Sequence, residues 1–357
     1  MTRQVRVGDV LIGGGADVSI QSMSNIDTRN VKAVLEQINI LADAGCQIMR
    51  LAVPTMEASE AFGEIKKKSV LPLVADIHFD HRLAIEAMKN GADKIRINPG
   101  NIGTVEDVAA VVKVAKERNI PIRVGVNSGS LQKDILEREG MVNAKGLAES
   151  AMRSVKILED FDFNDIVVSL KASDPKMNYE AYMLMSKMVD YPLHIGVTEA
   201  GTVERGKIKS AVGLGALLLA GVGDTMRVSL TGDPLNEIIA AKSILSSAGL
   251  YEEPINLISC PTCGRTSVDL ENIIGKIEKD LVAVSKYRKD NNLKPLTVAV
   301  MGCEVNGPGE AKSADLGVAC GKGKGLLFIN GKTVKTVDED SISSSIIEMV
   351  KNYERYI

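Results

Sequence analysis

Residues 93–127 read DKIRINPGNIGTVEDVAAVVKVAKERNIPIRVGVN. Two short runs rich in β-branched residues, DKIRINP (93–99) and PIRVGVN (121–127), flank TVEDVAAVVKVAKERN, whose apolar residues recur at three- and four-residue spacing. Alternation over a few residues marks a strand and the wider period marks a helix, so the segment reads strand, helix, strand. The same unit recurs from Val18 to about residue 250, with further runs VSIQSM (18–23), QIMRLAV (47–53), LPLVADI (71–77), DIVVSLK (165–171), PLHIGVT (192–198) and DTMRVSL (224–230). Eight alternations are what a (β/α)₈ TIM barrel requires. A doubly wound sheet has no need of eight units, and its G-x-G-x-x-G phosphate turn is missing. Gly13-Gly14-Gly15 and the run from Gly321 to Gly325 have neither that spacing nor the strand-to-helix setting.

Past Tyr251 the pattern changes. Glycines cluster in NGPGE and GKGKG, and short strand-like runs (LTVAVM, LGVAC, GLLFIN, TVKTV) alternate with two helical stretches, the last SISSSIIEMVKNYERY. The chain therefore divides into an α/β barrel over 1–250 and a smaller α+β domain over 251–357. At 357 residues and 45% hydrophobic, the chain is long enough for both cores. A net charge of −3 argues against nucleic acid as a partner. The longest apolar stretch, Ala211 to Gly223, is broken by glycine and shorter than the roughly 20 residues a bilayer demands, so it reads as a buried helix and no membrane is expected. The N-terminus MTRQVRVGDV has no signal-peptide pattern, which points to the cytoplasm.

Parity within the strands separates residues facing the helices from residues facing the barrel axis. Ile95 and Ile97 share one face, Arg96 and Asn98 the other. Ile122, Val124 and Val126 oppose Arg123, Gly125 and Asn127, and Met226, Val228 and Leu230 oppose Arg227 and Ser229. Arg50 and Lys171 also lie late in their strands. Any one such cation could pair with a carboxylate or snorkel to water. Four arginines and a lysine converging where inward charge is costly, with few acids to balance them, mainly Asp76 and Glu199, call for an anionic ligand. Arginine's planar fork suits phosphate, and barrel sites lie at the strands' C-terminal ends. The substrate class is a small phosphorylated or diphosphorylated molecule.

Glu199, in GVTEAG, reads either as a general acid or base of that site or as an acid favoured at a helix N-terminus. His78, His81 and His194, the only histidines, are expected to be hydrogen-bonded structure. The stretch 127–146 is long for a strand-to-helix loop and could close over a substrate or be a surface insertion.

Five cysteines include one C-x-x-C, Cys260-Pro-Thr-Cys263, with Cys303 following in MGCEVNGPGE. In a reducing compartment that pattern favours metal chemistry over disulfides. Three thiolates hold zinc or a [4Fe-4S] cluster, and the fourth ligand could be Glu310, Cys320 or solvent. Cys46 and Cys320 read as packing. Zinc would fit a redox-neutral phosphate-binding lyase or transferase with a structural tail. A non-catalytic phosphometabolite sensor is a further alternative.

QSM (21–23), RLAVP (50–54), RINPGNIG (96–103), RVGVNSGSL (123–131), SLKASD (169–174), GVTEAG (196–201), RVSLTGDP (227–234), SCPTCGR (259–265) and GCEVNGPGEA (302–311) resemble, in order, the signature segments of the 4-hydroxy-3-methylbut-2-enyl diphosphate synthase family in its bacterial two-domain form. The resemblance implies a TIM barrel followed by a [4Fe-4S] domain similar to the sulfite and nitrite reductase module, with Cys260, Cys263, Cys303 and Glu310 holding the cluster. It implies an iron–sulfur oxidoreductase of the methylerythritol phosphate pathway, drawing two electrons from reduced ferredoxin or flavodoxin for the reductive ring opening of a cyclic diphosphate. Arg50, Arg96, Asn98, Arg123, Asn127, Lys171, Arg227 and Ser229 would bind the diphosphate, and Glu199 would be catalytic, protonating the departing hydroxyl. Family members are homodimers, the cluster domain of one subunit capping the barrel mouth of the other.

Overall fold

A computed structural model describes residues 1–303 and 313–356. The chain forms two compact units, Met1–Tyr251 and Glu252–Ile357.

The first unit opens with a hairpin, β1 (Val5–Val7) and β2 (Val10–Ile12), which the strand count from Val18 passes over. Val7 and Ile12 pack on Ile48 and Val74, near the starts of their strands, and so cover the N-terminal end of the barrel. The eight barrel strands are β3 (Ser19–Met23), β4 (Ile48–Ala52), β5 (Leu73–Asp76), β6 (Lys94–Ile97), β7 (Ile122–Asn127), β8 (Ile166–Lys171), β9 (His194–Ile195) and β10 (Thr225–Met226). All are parallel, in the order β8-β7-β6-β5-β4-β3-β10-β9, and a bridge between Val168 and Leu193 brings the two ends of the sheet together. The (β/α)₈ barrel expected from the repeat is the fold observed.

The helices around it are α1 (Val31–Ala44), α2 (Met56–Lys66), α3 (His81–Lys89), α4 (Val105–Arg118), α5 (Lys133–Glu139), α6 (Ala144–Glu159), α7 (Pro175–Met188), α8 (Val203–Leu219) and α9 (Leu235–Ser247). α4 illustrates the local logic. Thr104 and Asp107 form a capping box, Asn119 ends the helix in the left-handed conformation, and Val108, Val111, Val112 and Ala115 are buried. These residues join Ile95, Ile97, Ile122 and Val124 in one apolar layer between strands and helices.

One expectation needs correction. The stretch Ala211 to Gly223 is not a buried helix: α8 buries Leu214, Leu217 and Leu218 but leaves Ile208, Val212 and Leu219 more than 60% exposed. Apolar residues lie on both sides of this stretch, so composition could not show that only one side faces the barrel. The long stretch 127–146 has structure of its own. It contains α5, tied to α6 by ion pairs from Arg138 to Glu149 and from Arg153 to Asp134.

The second unit is a five-stranded sheet, β11 (Ile255–Ser259), β12 (Leu296–Met301), β13 (Leu316–Gly321), β14 (Lys324–Ile329) and β15 (Lys332–Asp338), in that order. The first three strands are parallel and the last two antiparallel. Helices α10 (Leu270–Asp290) and α11 (Ile342–Lys351) pack Ile273, Ile277, Ile342 and Ile346 against Val298, Val300, Val318 and Leu327.

Candidate active site

In the barrel, the residues of helix-facing parity enter the apolar layer and the others line the inside. The inside includes Gln21, Arg50, Asp76, Lys94, Arg96, Arg123, Ser169, Lys171, His194 and Thr225. Branched apolar side chains ordinarily fill this space. Register sets the tiers: Asp76 lies level with Arg96, Arg96 with Arg123, and Asn127 with Lys171. Two glycines make room. A Cβ on Gly125 would come within 3.0 Å of the Arg96 guanidinium carbon, and one on Gly196 would lie 2.8 Å from Lys171 Nζ.

The charges are unbalanced. Among the described residues the only buried carboxylates are Asp76 and Glu237, each 4% exposed. Asp76 accepts from Arg50 Nη2 at 2.8 Å and Arg96 Nη1 at 3.4 Å, and meets His78 Nε2 at 3.3 Å. Burial by itself raises the Asp76 carboxyl, but the Arg50 charge, the His78 bond and Arg96 outweigh it and hold it far below the usual carboxylate range. Glu237, from α9, pairs with Arg227 at 3.3 Å. Among the described residues Arg123, 1% exposed, shows a long bond to Gln21 Oε1 at 3.5 Å and its Nε has no partner. Burial, then Arg50 and Arg96, disfavours its charged form. A guanidinium keeps its proton nonetheless, so the mismatch persists as an electrostatic demand for an anion. Lys171 is pushed well down by burial and then by Arg227, Arg123, Arg50 and Arg96.

The expected site residues are thus brought together in large part: Arg50, Arg96, Arg123, Lys171 and Arg227 share the inside and upper rim of one barrel. Asn127 ends β7 beside Lys171, and Ser229 is half-buried after β10. Asn98 commits its side-chain oxygen locally, accepting from Gly100 N at 3.2 Å and from Ser154 Oγ at 3.5 Å. The second inward carboxylate is Glu237, not Glu199, which is exposed and has a left-handed backbone with φ of 52°. Nor does Glu199 lie in a helix N-terminus, since α8 starts at Val203, with Thr202 at its N-cap position and Glu204 in its first turn. His78 meets Arg96 Nη1 at 3.1 Å and belongs to the Asp76 network, while His194 is fully buried inside the barrel. Lys94, fully buried, shares the parity of Arg96 two residues on, and that parity could have flagged it. Nothing in the sequence pattern marks Glu237.

In the second unit, Cys260 follows the last residue of β11 and Cys303 lies two residues past β12. Ser259 is in register with Val300, so both cysteines leave the same edge of the sheet. Gly302 N donates to Cys260 Sγ at 3.1 Å. Arg265, by backbone and side-chain hydrogen bonds, lowers the Cys263 thiol below its ordinary value. Two cysteines past neighbouring strand ends, one of them hydrogen-bonded at sulfur, with Cys263 three residues on and favoured as thiolate, are chemically suited to a cluster. Among the described residues no three His, Cys, Asp or Glu side chains converge closely enough to hold a metal ion. Glu310 lies outside the described residues. Cys46 and Cys320 are buried among apolar side chains, which raises their thiols to about 11 and about 12 respectively, as suits packing residues.

Residues 2–242 match the GcpE TIM-barrel domain and residues 256–352 the GcpE protein C-terminal domain. The chain is 53% identical to the 4-hydroxy-3-methylbut-2-en-1-yl diphosphate synthase (flavodoxin) of Clostridium acetobutylicum, over 98% of both chains. It is 54% identical to the protein of the same name from Ruminiclostridium cellulolyticum, over 98% of this chain and 97% of that one. Among solved structures it is similar to Yersinia pestis dihydropteroate synthase at 13% identity and a TM-score of 0.48, covering 70% of this chain and 100% of that one, a likeness too loose to argue from.

Proposed function

The chain belongs to the GcpE family, and from that premise we propose that it converts 2-C-methyl-D-erythritol 2,4-cyclodiphosphate to 4-hydroxy-3-methylbut-2-enyl diphosphate, a step of isoprenoid precursor synthesis. The reaction takes up two electrons and one proton, releases one water and opens the cyclic diphosphate, which gains one negative charge. The observation that carries the reading is the surplus of inward cations over buried carboxylates in the barrel.

Arg50, Arg96, Arg123, Lys171 and Arg227, with Asn98, Asn127 and Ser229 at the rim, bind the diphosphate. Held on rigid strands in a low-dielectric interior, these cations favour the ring-opened product because its diphosphate carries more charge. Asp76 keeps Arg50 and Arg96 in place. Glu199 donates the proton that turns the departing hydroxyl into water. Its left-handed backbone at a strand exit supports this role, since strain of that kind concentrates at functional positions. Cys260, Cys263, Cys303 and Glu310 hold a [4Fe-4S] cluster, which when bound supplies the electrons one at a time. The relatives' names make flavodoxin the donor. The enzyme is proposed to be a homodimer, and its cluster thiols suit the reducing cytoplasm.

An anaerobic visible spectrum with iron and sulfide quantification, on the wild type and Cys303→Ser, tests the reading. A brown wild type with about four irons per chain, turning over the cyclic diphosphate with reduced flavodoxin and bleached by the substitution, is the expected result. A colourless protein with about one zinc per chain after anaerobic reconstitution would sink it and leave a redox-neutral barrel with a structural tail.

A further inference from the structure

Glu237 occupies the third position of α9, where an acid ordinarily faces water and gains from the helix dipole. Here it is 4% exposed. Its Oε1 accepts from Leu230 N at 3.0 Å and Arg227 Nη2 at 3.3 Å, and its Oε2 accepts from Ser22 Oγ at 3.1 Å. One carboxylate therefore joins three elements: β3, the chain leaving β10, and α9. Burying a charge is expensive unless it is paired and hydrogen-bonded, and a neutral glutamine could keep both uncharged partners, its oxygen accepting from Leu230 N and its amide donating to Ser22 Oγ. What requires the negative charge is Arg227.

The guanidinium it holds is otherwise lightly engaged. Arg227 Nη1 faces Met23 Sδ at 3.6 Å, and its buried Nε has no partner among the described residues. Glu237 thus fixes one corner of the guanidinium and leaves other donors to a ligand. Its bond to Leu230 N also fixes the backbone next to Ser229. Asp76 does the corresponding work for Arg50 and Arg96 from inside a strand. We propose that Glu237 is a positioning residue of the diphosphate site, acting through Arg227 and the backbone that carries Ser229 without touching substrate itself. The proposal rests on the reading that Arg227 meets the diphosphate.

The test uses the anaerobically purified holoenzyme with E237Q, R227M and the double variant, measuring KM for the cyclic diphosphate, kcat, inhibition by inorganic diphosphate, and Tm. Loss of a charged partner predicts that E237Q raises KM and the inhibition constant about tenfold, changes kcat far less, and adds nothing in the R227M background. An unchanged KM in E237Q while R227M raises it would assign Glu237 to scaffolding alone and overturn the proposal. So would effects of E237Q that simply add to those of R227M. R227M without effect on KM would remove the premise itself, a distinct result. Should E237Q fail to fold, S22A releases only the Oε2 hydroxyl partner. A KM raised in S22A and unaffected by it in R227M would support the proposal, and no change in S22A would overturn it.

Discussion

The barrel and the C-terminal sheet are both helix-covered, yet they carry their chemistry in different places. In the barrel the groups proposed to bind the diphosphate are strand residues: Arg96 and Arg123 are register partners, Asn127 and Lys171 likewise. In the C-terminal sheet the proposed cluster ligands Cys260, Cys263 and Cys303 lie beyond strand ends. The difference follows from what each ligand demands. A diphosphate spreads charge over several oxygens, and donors fixed on the inner face of a closed sheet meet it without reorganisation. Thiolates around an iron–sulfur cluster must approach from several directions, which the two-residue period of a strand cannot supply, so they sit where the chain turns.

The largest effect that would sharpen this contrast is on stability in the barrel. Asp76→Asn leaves Arg50 and Arg96 without their charged partner and is expected to cost about 3–5 kcal/mol in urea unfolding. The sign with pH is fixed by the depressed Asp76 carboxyl. Its contribution is complete above the unfolded value near about 4 and is lost as pH falls through and below that range. The gap between wild type and D76N should therefore close on acidification, and a gap that widened in acid would refute the assignment.

Arg123→Met should act in two directions. Removing a preorganised donor lowers kcat/KM by about 10²–10³-fold. Removing a buried cation that makes no ion pair among the described residues should raise stability by about 1–4 kcal/mol. A destabilised R123M would mean that this charge serves the fold.

Two glycines make a matched pair with smaller effects. Gly125→Ala pushes on the Arg96 guanidinium, and Gly302→Ala pushes on Leu270 and Thr266 beside the Cys260 sulfur, where its Cβ would lie 2.9 Å and 3.0 Å from their side chains. Overpacking of this kind costs about 1–3 kcal/mol. G125A should show it as a raised KM with the visible spectrum intact, and G302A as faster bleaching in air with KM little changed. Interchanged phenotypes would break the comparison. The smallest effect expected is from Arg138→Ala, whose pairing with Glu149 is exposed and screened by water. A large loss of activity in R138A would show that α5 takes part in the reaction.

Much of this was legible in the sequence because strand periodicity is strict. Eight alternating units specified the barrel, and parity alone put Arg96, Arg123 and Arg227 on the face away from the apolar layer. Parity also covered Lys94, whose charge stands one step below Arg96 on the same face. Cysteine spacing marked the second unit, although register was needed to bring Cys260 and Cys303 to one edge. Periodicity failed at α8, where an apolar run covers both the buried and the exposed side of the helix.

What the sequence determined by itself was the distribution of charge between faces, since alternation is a local property of extended backbone. Only the tertiary structure decided which acids answer the arginines. Asp76 does so from β5, and Glu237 reaches Arg227 from a helix ten residues further along the chain. Glu199, past the end of β9, is exposed with φ of 52° and is not one of the acids that pair with them. The reason is that pairing depends on side-chain direction at strand exits and helix starts, and there backbone dihedrals and packing between distant elements, which no local period encodes, set where each carboxylate points.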